Sequence, residues 1–185
     1  MTAVLLDWDT RGPDLDIGEM RALLPSLEIY GDTLPGQTID RIGDAAIVLG
    51  NKVGLTAEVF EACPSIRYIG LTATGTDNVD LEAARRRGIA VANIRAYCTQ
   101  SVVEHVFGCL LDHAHALGRY SHDVRNGAWS QAENFCLITH PIRELSAMTL
   151  GLVGYGELAR GVERIARAFN MEVLVAARPG SDDIP

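Results

Sequence analysis

The sequence predicts an α/β fold in which a doubly wound parallel sheet is followed by a second β-α-β unit. Short runs that are apolar on both faces alternate with helical or turn-rich stretches. Strands buried on both faces are typical of parallel sheets that helices cover on two sides. Residues 150–178 then hold an apolar run, a glycine turn, a stretch of helical periodicity and another apolar run.

Five strands are predicted in the first part of the chain. Each is a short apolar run bounded by turn residues. They cover residues 3–6, 27–30, 45–49, 66–71 and 89–92. Helices are expected between them: one at residues 17–24, and two that Thr56 and Asp80 can cap and that end before Pro64 and Gly88.

The longest predicted helix follows the fifth strand, and Thr99 or Ser101 can cap it. A wide apolar stripe at three- and four-residue spacing indicates a core or an interface. The stripe consists of Val102, Val103, Val106, Phe107, Leu110, Leu111, Ala114 and Leu117. Residues 125–145 show no clear period, which predicts a connection between two lobes with its aromatic side chains anchored on a surface.

Histidines on this helix allow two interpretations. His105 and His113 are eight residues apart and lie roughly on one face, as a metal site would require. No cysteine or cluster of carboxylates completes a coordination set, which favours exposed or hydrogen-bonded structural histidines. We therefore expect no metal.

The glycine turn has the pattern of a dinucleotide site. Gly154 allows a tight turn, Gly156 lets the backbone approach a pyrophosphate, and Ala159 permits close packing of helix on strand. The free N–H groups and the dipole at the helix start attract phosphate. A turn that merely joins strand to helix is the alternative, and the flanking strands argue against it.

The end of the second strand bears on the choice of nucleotide. Sites for NAD usually place an acidic residue about 20 residues beyond the turn, where it bonds the ribose 2′-hydroxyl. Here that position is Ala177, and Arg178 is next to it. A guanidinium in place of a carboxylate favours NADP over NAD; the alternative is a solvated arginine in a loop.

Composition excludes several classes of function. The 185 residues include 16 basic and 24 acidic side chains, and the net charge of -8 argues against a nucleic-acid or anionic-membrane partner. No apolar run approaches the roughly 20 residues of a membrane span, and no basic signal segment precedes the first strand, so we expect a cytoplasmic protein. Four widely spaced cysteines predict reduced, mostly buried thiols.

Two loops are candidates for a ligand site, because ligands of such sheets bind beyond the carboxyl ends of the strands. Residues 50–53 follow the third strand and residues 72–78 follow the fourth. Backbone N–H groups and hydroxyls of the second loop can hold a carboxylate. Lys52 can add a positive charge there, although ordinary turns and a solvated lysine remain an alternative interpretation.

Five stretches in order carry a resemblance to a known family. The chain resembles the amino-terminal part of the D-isomer-specific 2-hydroxyacid dehydrogenases, most closely the branch of glycerate dehydrogenase and hydroxypyruvate reductase. The matching stretches are residues 73–80, 101–105, 127–129 and 140–145 and the Gly154 turn.

The resemblance implies three segments and a set of site residues. Residues 1–98 would form a flavodoxin-like substrate-binding lobe, 99–145 the long helix and a connection, and 146–185 the first β-α-β of a Rossmann domain for NAD(P). The substrate carboxylate would contact Asn51, Lys52, Val53, Thr74, Gly75 and Thr76. The cofactor would contact Thr99, Val102, Gly154, Tyr155, Gly156, Glu157, Leu158 and Arg178. A homodimer is also implied.

The resemblance assigns no catalytic residue to this chain. Family members reduce a 2-keto acid with an arginine and a glutamate-paired histidine, and His105 and His140 do not match that histidine. We therefore expect a dehydrogenase for hydroxypyruvate, glyoxylate or glycerate as the parent protein, with this chain an inactive fragment. The alternatives are a non-catalytic dinucleotide-binding or interaction module and, less favoured, an S-adenosylmethionine site at the same turn.

Overall fold

The computed structural model describes residues 2–176. The chain forms two compact units, Met1–Arg95 and Ala96–Pro185. The boundary lies three residues before the predicted end of the substrate-binding lobe. The long helix and the described part of the predicted nucleotide-binding segment belong to the same unit.

The first unit is built on a parallel five-stranded sheet. Its strands are β1 (Ala3–Leu5), β2 (Leu27–Ile29), β3 (Ile47–Gly50), β4 (Tyr68–Leu71) and β5 (Ala90–Ala92). Their order is β2-β1-β3-β4-β5, with every pair parallel. This is the flavodoxin-like order, so the predicted doubly wound fold is confirmed.

The sheet has a hydrophobic core on each face, because successive side chains of a strand point to opposite faces. Val4 and Leu6 belong to the larger core, with Phe60 at its centre. Ala3 and Leu5 belong to the smaller core on the other face. Burial on both faces explains why these strands read as continuous apolar runs.

Four short helices belong to this unit: α1 (Gly18–Leu23), α2 (Thr38–Ile42), α3 (Ala57–Ala62) and α4 (Leu81–Arg86). Single 3₁₀ turns lie at Trp8–Thr10 and Pro35–Gln37. Asp80 caps α4 as predicted, since its carboxylate accepts a hydrogen bond from the N–H of Ala83 at 2.9 Å. Thr56 is the N-cap residue of α3, which ends at Ala62 as predicted, but its side chain makes no capping hydrogen bond in the described structure.

The second unit contains α5 (Thr99–His115), α6 (Leu117–Arg125), α7 (Ala128–Gln131), a 3₁₀ turn (Leu145–Ala147), β6 (Thr149–Val153), α8 (Glu157–Ala168) and β7 (Glu172–Ala176). β6 and β7 pair in parallel with α8 between them, as predicted for a β-α-β unit. Buried side chains of α5, α8 and the segments flanking β6 and β7 form its core.

The long helix differs from its prediction at both ends. Its N-cap is Cys98 rather than Thr99 or Ser101, and the hydroxyl of Ser101 donates to the Cys98 carbonyl at 3.0 Å. It ends at His115 because Ala116 adopts a left-handed conformation with a φ of 51°. Leu117 therefore leaves the apolar stripe and begins α6 with an exposed side chain.

Two further expectations were wrong. Trp129 and Phe135 are exposed, Phe135 to 93%, so within the described residues they do not anchor the connection. Of the four cysteines, which are free as predicted, only Cys63 is buried. Burial raises the pKa of the Cys63 thiol, and the negative charge of Asp44 raises it further.

Candidate functional site

A cavity of about 210 Å³ lies beyond the carboxyl ends of β3 and β4. It is lined by Asn51, Lys52, Ala73, Gly75, Asp77 and Asn78. This is the edge at which doubly wound sheets bind ligands. Drug-sized ligands occupy roughly 300–1,000 Å³, so the volume suits a small molecule.

The cavity brings together three of the six predicted substrate residues. Asn51, Lys52 and Gly75 line it. Val53 is buried in the larger core of the first unit instead. Thr74 and Thr76 belong to the same loop as Gly75 but are not among the lining residues.

The backbone of the first loop is held by a residue that the sequence analysis missed. Asp7 follows β1, is 1% exposed, and accepts hydrogen bonds from the N–H groups of Asn51, Lys52 and Val53. The distances to its Oδ2 atom are 2.8, 2.6 and 3.3 Å, and the Asn51 N–H also lies 2.9 Å from Oδ1. These three N–H groups are therefore already occupied.

Side chains of the first loop remain for a ligand. Lys52 is the only lysine in the sequence. Its side chain is exposed, and its ammonium forms no ion pair with any described residue. The Nδ2 group of Asn51 donates to the Thr10 hydroxyl at 3.1 Å. Its buried Oδ1 atom has no hydrogen-bond partner among residues 2–176.

Backbone N–H groups of the second loop are available to a ligand. Its shape is fixed by hydrogen bonds from Asn93 Nδ2 to the Thr74 carbonyl at 2.7 Å and from the Val79 N–H to the Thr76 carbonyl at 3.0 Å. Among the described residues, no hydrogen bond uses the N–H groups of Thr74, Gly75 or Thr76. A carboxylate can accept from such a row of N–H groups.

A second missed residue, Arg11, connects Asp7 to the second loop. Its Nη1 atom donates to the Asp7 carbonyl at 2.7 Å and lies 3.5 Å from the Asp7 carboxylate, while Nη2 donates to the Thr72 hydroxyl at 2.6 Å. The sequence contained one signal for Asp7, its position: an aspartate directly after an all-apolar strand lies at the ligand-binding edge of the sheet.

The glycine turn of the second unit has the geometry of a phosphate cradle. Gly154 has a φ of 84°, which favours glycine, and Gly156 is the N-cap of α8. A Cβ atom added at either glycine would have no neighbour within 4 Å, so the backbone is open to approach. A helix of 12 residues begins there, and no described residue accepts a hydrogen bond from the N–H groups of Glu157, Leu158 or Ala159. The predicted pyrophosphate group fits these features.

Of the other predicted cofactor residues, Thr99 contacts the start of α8. The Thr99 hydroxyl at the start of α5 donates to the carboxylate of Glu157, the first residue of α8. Leu158 is exposed beside Glu157. Val102 is half-buried one turn along α5. Arg178 lies outside the described residues.

Tyr155 is tied to α8 through its hydroxyl, which donates to Glu163. This bond lowers the pKa of the Glu163 carboxyl, and Arg167, with Nη2 2.5 Å from Oε1, lowers it further. The same bond raises the pKa of Tyr155. The tyrosine therefore remains a neutral donor that fixes the turn.

Histidines of the second unit do not form a metal cluster. Across residues 2–176, no three His, Cys, Asp or Glu side chains converge as metal ligands would. His105 lies 3.6 Å from the Cys109 sulfur on the exposed side of α5. His140 instead pairs with Asp123 at 2.9 Å.

Comparison with known proteins identifies the family to which this fold and these loops belong. Residues 14–177 match the family model described as D-isomer specific 2-hydroxyacid dehydrogenase, catalytic domain. The chain therefore belongs to the D-isomer specific 2-hydroxyacid dehydrogenases, a family of oxidoreductases.

Individual relatives agree with that membership. The chain is 38% identical to a hydroxypyruvate reductase from Blautia hydrogenotrophica over 177 residues, which cover 94% of this chain and 55% of the relative. It is 34% identical to a glycerate dehydrogenase from Methylorubrum extorquens, again over 94% of this chain and 55% of the relative. The chain thus spans about half the length of the curated relatives it matches.

A solved structure shows the same fold. The D-lactate dehydrogenase from Aquifex aeolicus, complexed with NAD and lactic acid, superposes with a TM-score of 0.71 at 28% identity. The match covers 93% of this chain and 50% of that one. Within residues 2–176, no helix combines the length and the apolar character needed to cross a bilayer.

Proposed function

We propose that the protein carrying this chain transfers a hydride between NAD(P)H and a small 2-keto or 2-hydroxy acid of the hydroxypyruvate, glyoxylate or glycerate type. The observation that carries the proposal is the small cavity at the edge of the sheet. The loop of Thr74, Gly75 and Thr76, whose N–H groups have no partner among residues 2–176, borders it, and Lys52 lines it. A carboxylate is the anion that such a site suits.

In this proposal the two loops supply different groups that bind the substrate. The N–H groups of Thr74, Gly75 and Thr76 donate hydrogen bonds to the carboxylate, and the Lys52 ammonium adds a charge-assisted hydrogen bond. Because Asp7 occupies the N–H groups of the other loop, Asn51 contributes through its side chain. Val53 anchors that loop in the core rather than contacting substrate.

The cofactor is proposed to bind at the glycine turn, where it would supply the hydride. Gly154, Tyr155 and Gly156 leave room for the pyrophosphate, and the N–H groups of Glu157 and Leu158 donate to it. Thr99 and Val102, at the start of α5, are proposed to lie near the nicotinamide. We assign no proton donor to this chain and propose that the 185 residues alone bind ligands without turnover.

Arg178 supports a proposed preference for NADP over NAD. A guanidinium pairs with a 2′-phosphate, whereas NAD is usually held by a carboxylate near this position. Arg178→Ala is expected to weaken NADPH binding about tenfold and to leave NADH binding unchanged, as measured by fluorescence titration. Tighter binding of NADH than of NADPH by the unmodified protein would contradict the preference.

We propose a homodimer in the cytosol. Exposed apolar side chains along the second unit support association, and the four free cysteines support a reducing compartment. These apolar side chains include Leu117, Val124, Trp129, Phe135, Ile138 and Ile142. Light scattering coupled to size-exclusion chromatography tests the dimer, and a mass of one protomer across the concentration range contradicts it.

The activity itself is tested on the purified full-length parent protein. After its intact mass is recorded, oxidation of NADPH and then NADH is followed with hydroxypyruvate and glyoxylate. Lys52→Met is expected to raise the KM of the keto acid about tenfold, because one charge-assisted hydrogen bond is lost. The matched control is Arg21→Met in α1. Dinucleotide binding without reduction of any 2-keto acid would instead indicate a non-catalytic module.

A further inference from the structure

The most deeply buried charged group described in the first unit is the carboxylate of Asp7, and its hydrogen bonds go to a loop rather than to the sheet. Both of its oxygens accept hydrogen bonds from backbone N–H groups of Asn51, Lys52 and Val53, which lie at least 44 residues further along the chain. Arg11 Nη1 also lies 3.5 Å from Oδ1. A turn that only connects a strand to a helix is normally satisfied by its own backbone and by water. This loop is held by Asp7, a residue from a distant part of the chain.

Arg11 extends the same network to the second loop. Its side chain is 7% exposed, so its charge is buried beside Asp7. One nitrogen donates to the Asp7 carbonyl and the other to the Thr72 hydroxyl, which lies at the start of the loop containing Thr74, Gly75 and Thr76. A single guanidinium thereby spans the ends of β1 and β4.

A stabilising role alone does not account for this arrangement. Burying two charges is energetically unfavourable, and well-packed apolar residues of similar volume often stabilise a fold equally well or better. What the network provides is direction, because charge-assisted hydrogen bonds fix the orientation of the groups they contact. The groups fixed here are the backbone N–H groups of the first loop and the Thr72 hydroxyl at the start of the second loop.

We propose that Asp7 and Arg11 are positioning residues for the substrate carboxylate, and that they hold the two loops in register so that Lys52 and the N–H groups of the second loop converge on one anion. This inference rests on the proposed function. Neither residue contacts the substrate: Asp7 acts through the loop of Asn51 to Val53, and Arg11 acts through Thr72.

The first test measures the loop without any substrate. In the full-length protein, hydrogen exchange at the N–H groups of Asn51 and Lys52 is expected to become at least tenfold faster in Asp7→Asn, because the amide replaces one accepting oxygen by a donor. The matched control is Asp9→Asn, an exposed aspartate two residues away whose side chain accepts no hydrogen bond among the described residues. Equal exchange in both variants overturns the inference.

The second test separates positioning from general stability. For Asp7→Asn and Arg11→Met, the KM of the keto acid is expected to rise about tenfold, while the KM of the nicotinamide cofactor stays within twofold of that of the unmodified protein. Loss of folded protein alone would lower the apparent kcat and leave both KM values unchanged. Arg21→Met is the control for Arg11. A KM of the keto acid that is unchanged in both variants overturns the inference.

Milder variants keep the inference testable if Asp7→Asn fails to fold. Thr72→Val removes the acceptor for Arg11 Nη2, and Arg11→Lys keeps the charge but cannot reach both loops. Both are expected to raise the KM of the keto acid by roughly threefold to tenfold. If the unmodified protein reduces no 2-keto acid, the proposed function fails, and the exchange experiment still decides whether Asp7 orders the loop.

Discussion

The carboxylate of Glu157 has two opposing effects at the start of α8: it stabilises the helix, and it repels a phosphate bound there. A carboxylate in the first turn of a helix interacts favourably with the helix dipole. A pyrophosphate bound at the same helix start carries negative charge as well, so Glu157 opposes the ligand that the glycine turn suits. Its hydrogen bond from Thr99 keeps the carboxylate engaged on α5.

Glu157→Gln is expected to bind the dinucleotide about two- to fivefold more tightly, because a like charge is removed. The free energy of unfolding should fall by about 0.3–1 kcal/mol with the loss of the favourable charge at the helix start. Fluorescence titration at low and high salt measures the first effect, which salt should diminish. Glu58→Gln, in the first turn of α3, is the control. Weaker binding at low salt contradicts the expectation.

Contacts between Asp123 and His140 make the stability of this part of the second unit sensitive to acid. A hydrogen bond from Thr139 at 3.0 Å lowers the pKa of the Asp123 carboxyl, and the bond to His140 lowers it further. Because the folded pKa is below the unfolded value, these contacts stabilise the fold above the ordinary aspartate pKa of about 3.9. Their contribution is lost as the pH falls through the lowered value.

Thr139→Val is therefore expected to raise the pKa of Asp123 toward its ordinary value. The change is measured by an NMR titration of the Asp123 carboxyl carbon. Ser121→Ala, on the same helix as Asp123, removes a hydroxyl that makes no hydrogen bond in the described structure. It should leave the titration unchanged, and an unaltered Asp123 in Thr139→Val would assign the lowered pKa to another cause.

At the scale of elements, one glycine determines how closely α8 packs against α5. A Cβ atom at Gly161 would lie 2.8 Å from Val103 Cγ2 and 3.3 Å from Thr99 Cγ2. The sequence pattern pointed to Gly154, Gly156 and Ala159 but not to Gly161. A glycine inside a helix has no turn signature, so only the facing helix reveals why it is needed.

Gly161→Ala is expected to destabilise the second unit by about 1–3 kcal/mol, because the β-branched Val103 cannot move away freely. Gly108→Ala, in the interior of α5, has no neighbour within 4 Å and is expected to stabilise by about 0.5–1 kcal/mol. Urea unfolding of both variants measures the contrast. Two shifts of the same sign would contradict the close approach of the helices.

The elements that the sequence predicted are those whose burial leaves a pattern. All five strands of the first sheet were found from their apolar runs. Burial on both faces explains that pattern in β1 and β3, whereas the edge strand β5 is exposed at Ala90 and Ala92. The helix α2 was missed because it is a single turn, buried at Thr38 and Ile42 through contacts with the rest of the unit. The end of α5 was missed because a left-handed Ala116 carries no signal of the kind that glycine or asparagine gives.

The candidate site, like the fold, was predicted only in part. Loops at strand ends and the glycine turn are local patterns, so their residues could be named from the sequence. The backbone N–H groups that donate to the Asp7 carboxylate lie at least 44 residues away, and the partners of Asp123 are 16 and 17 residues away. No local period connects such pairs, and only the folded chain shows them.

At the scale of the molecule, each hydrophobic core draws on one unit alone. The two cores of the first sheet use residues between Ala3 and Val91, and the core of the second unit uses residues between Val103 and Val173. A unit whose apolar residues are satisfied internally is expected to fold on its own.

Residues 1–95 alone are therefore expected to unfold in one cooperative transition in urea, followed by circular dichroism. Phe60→Ala should lower the free energy of unfolding by about 3–5 kcal/mol, because Phe60 is fully buried. Leu23→Ala, at a leucine that is 81% exposed, should change it by less than about 0.5 kcal/mol. A fragment without a cooperative transition would show that the first unit depends on the second.

The buried Asp7 also sets an order of events while the chain is being made. Its carboxylate leaves the ribosome 44 residues before the first backbone N–H group that it accepts from. Until that segment emerges, the charge must stay hydrated, so β1 cannot be buried at its carboxyl end. The loop beside the cavity is therefore expected to close in the same step that pairs β1 with β3, and nascent chains halted before Asn51 should keep Asp7 exposed to solvent.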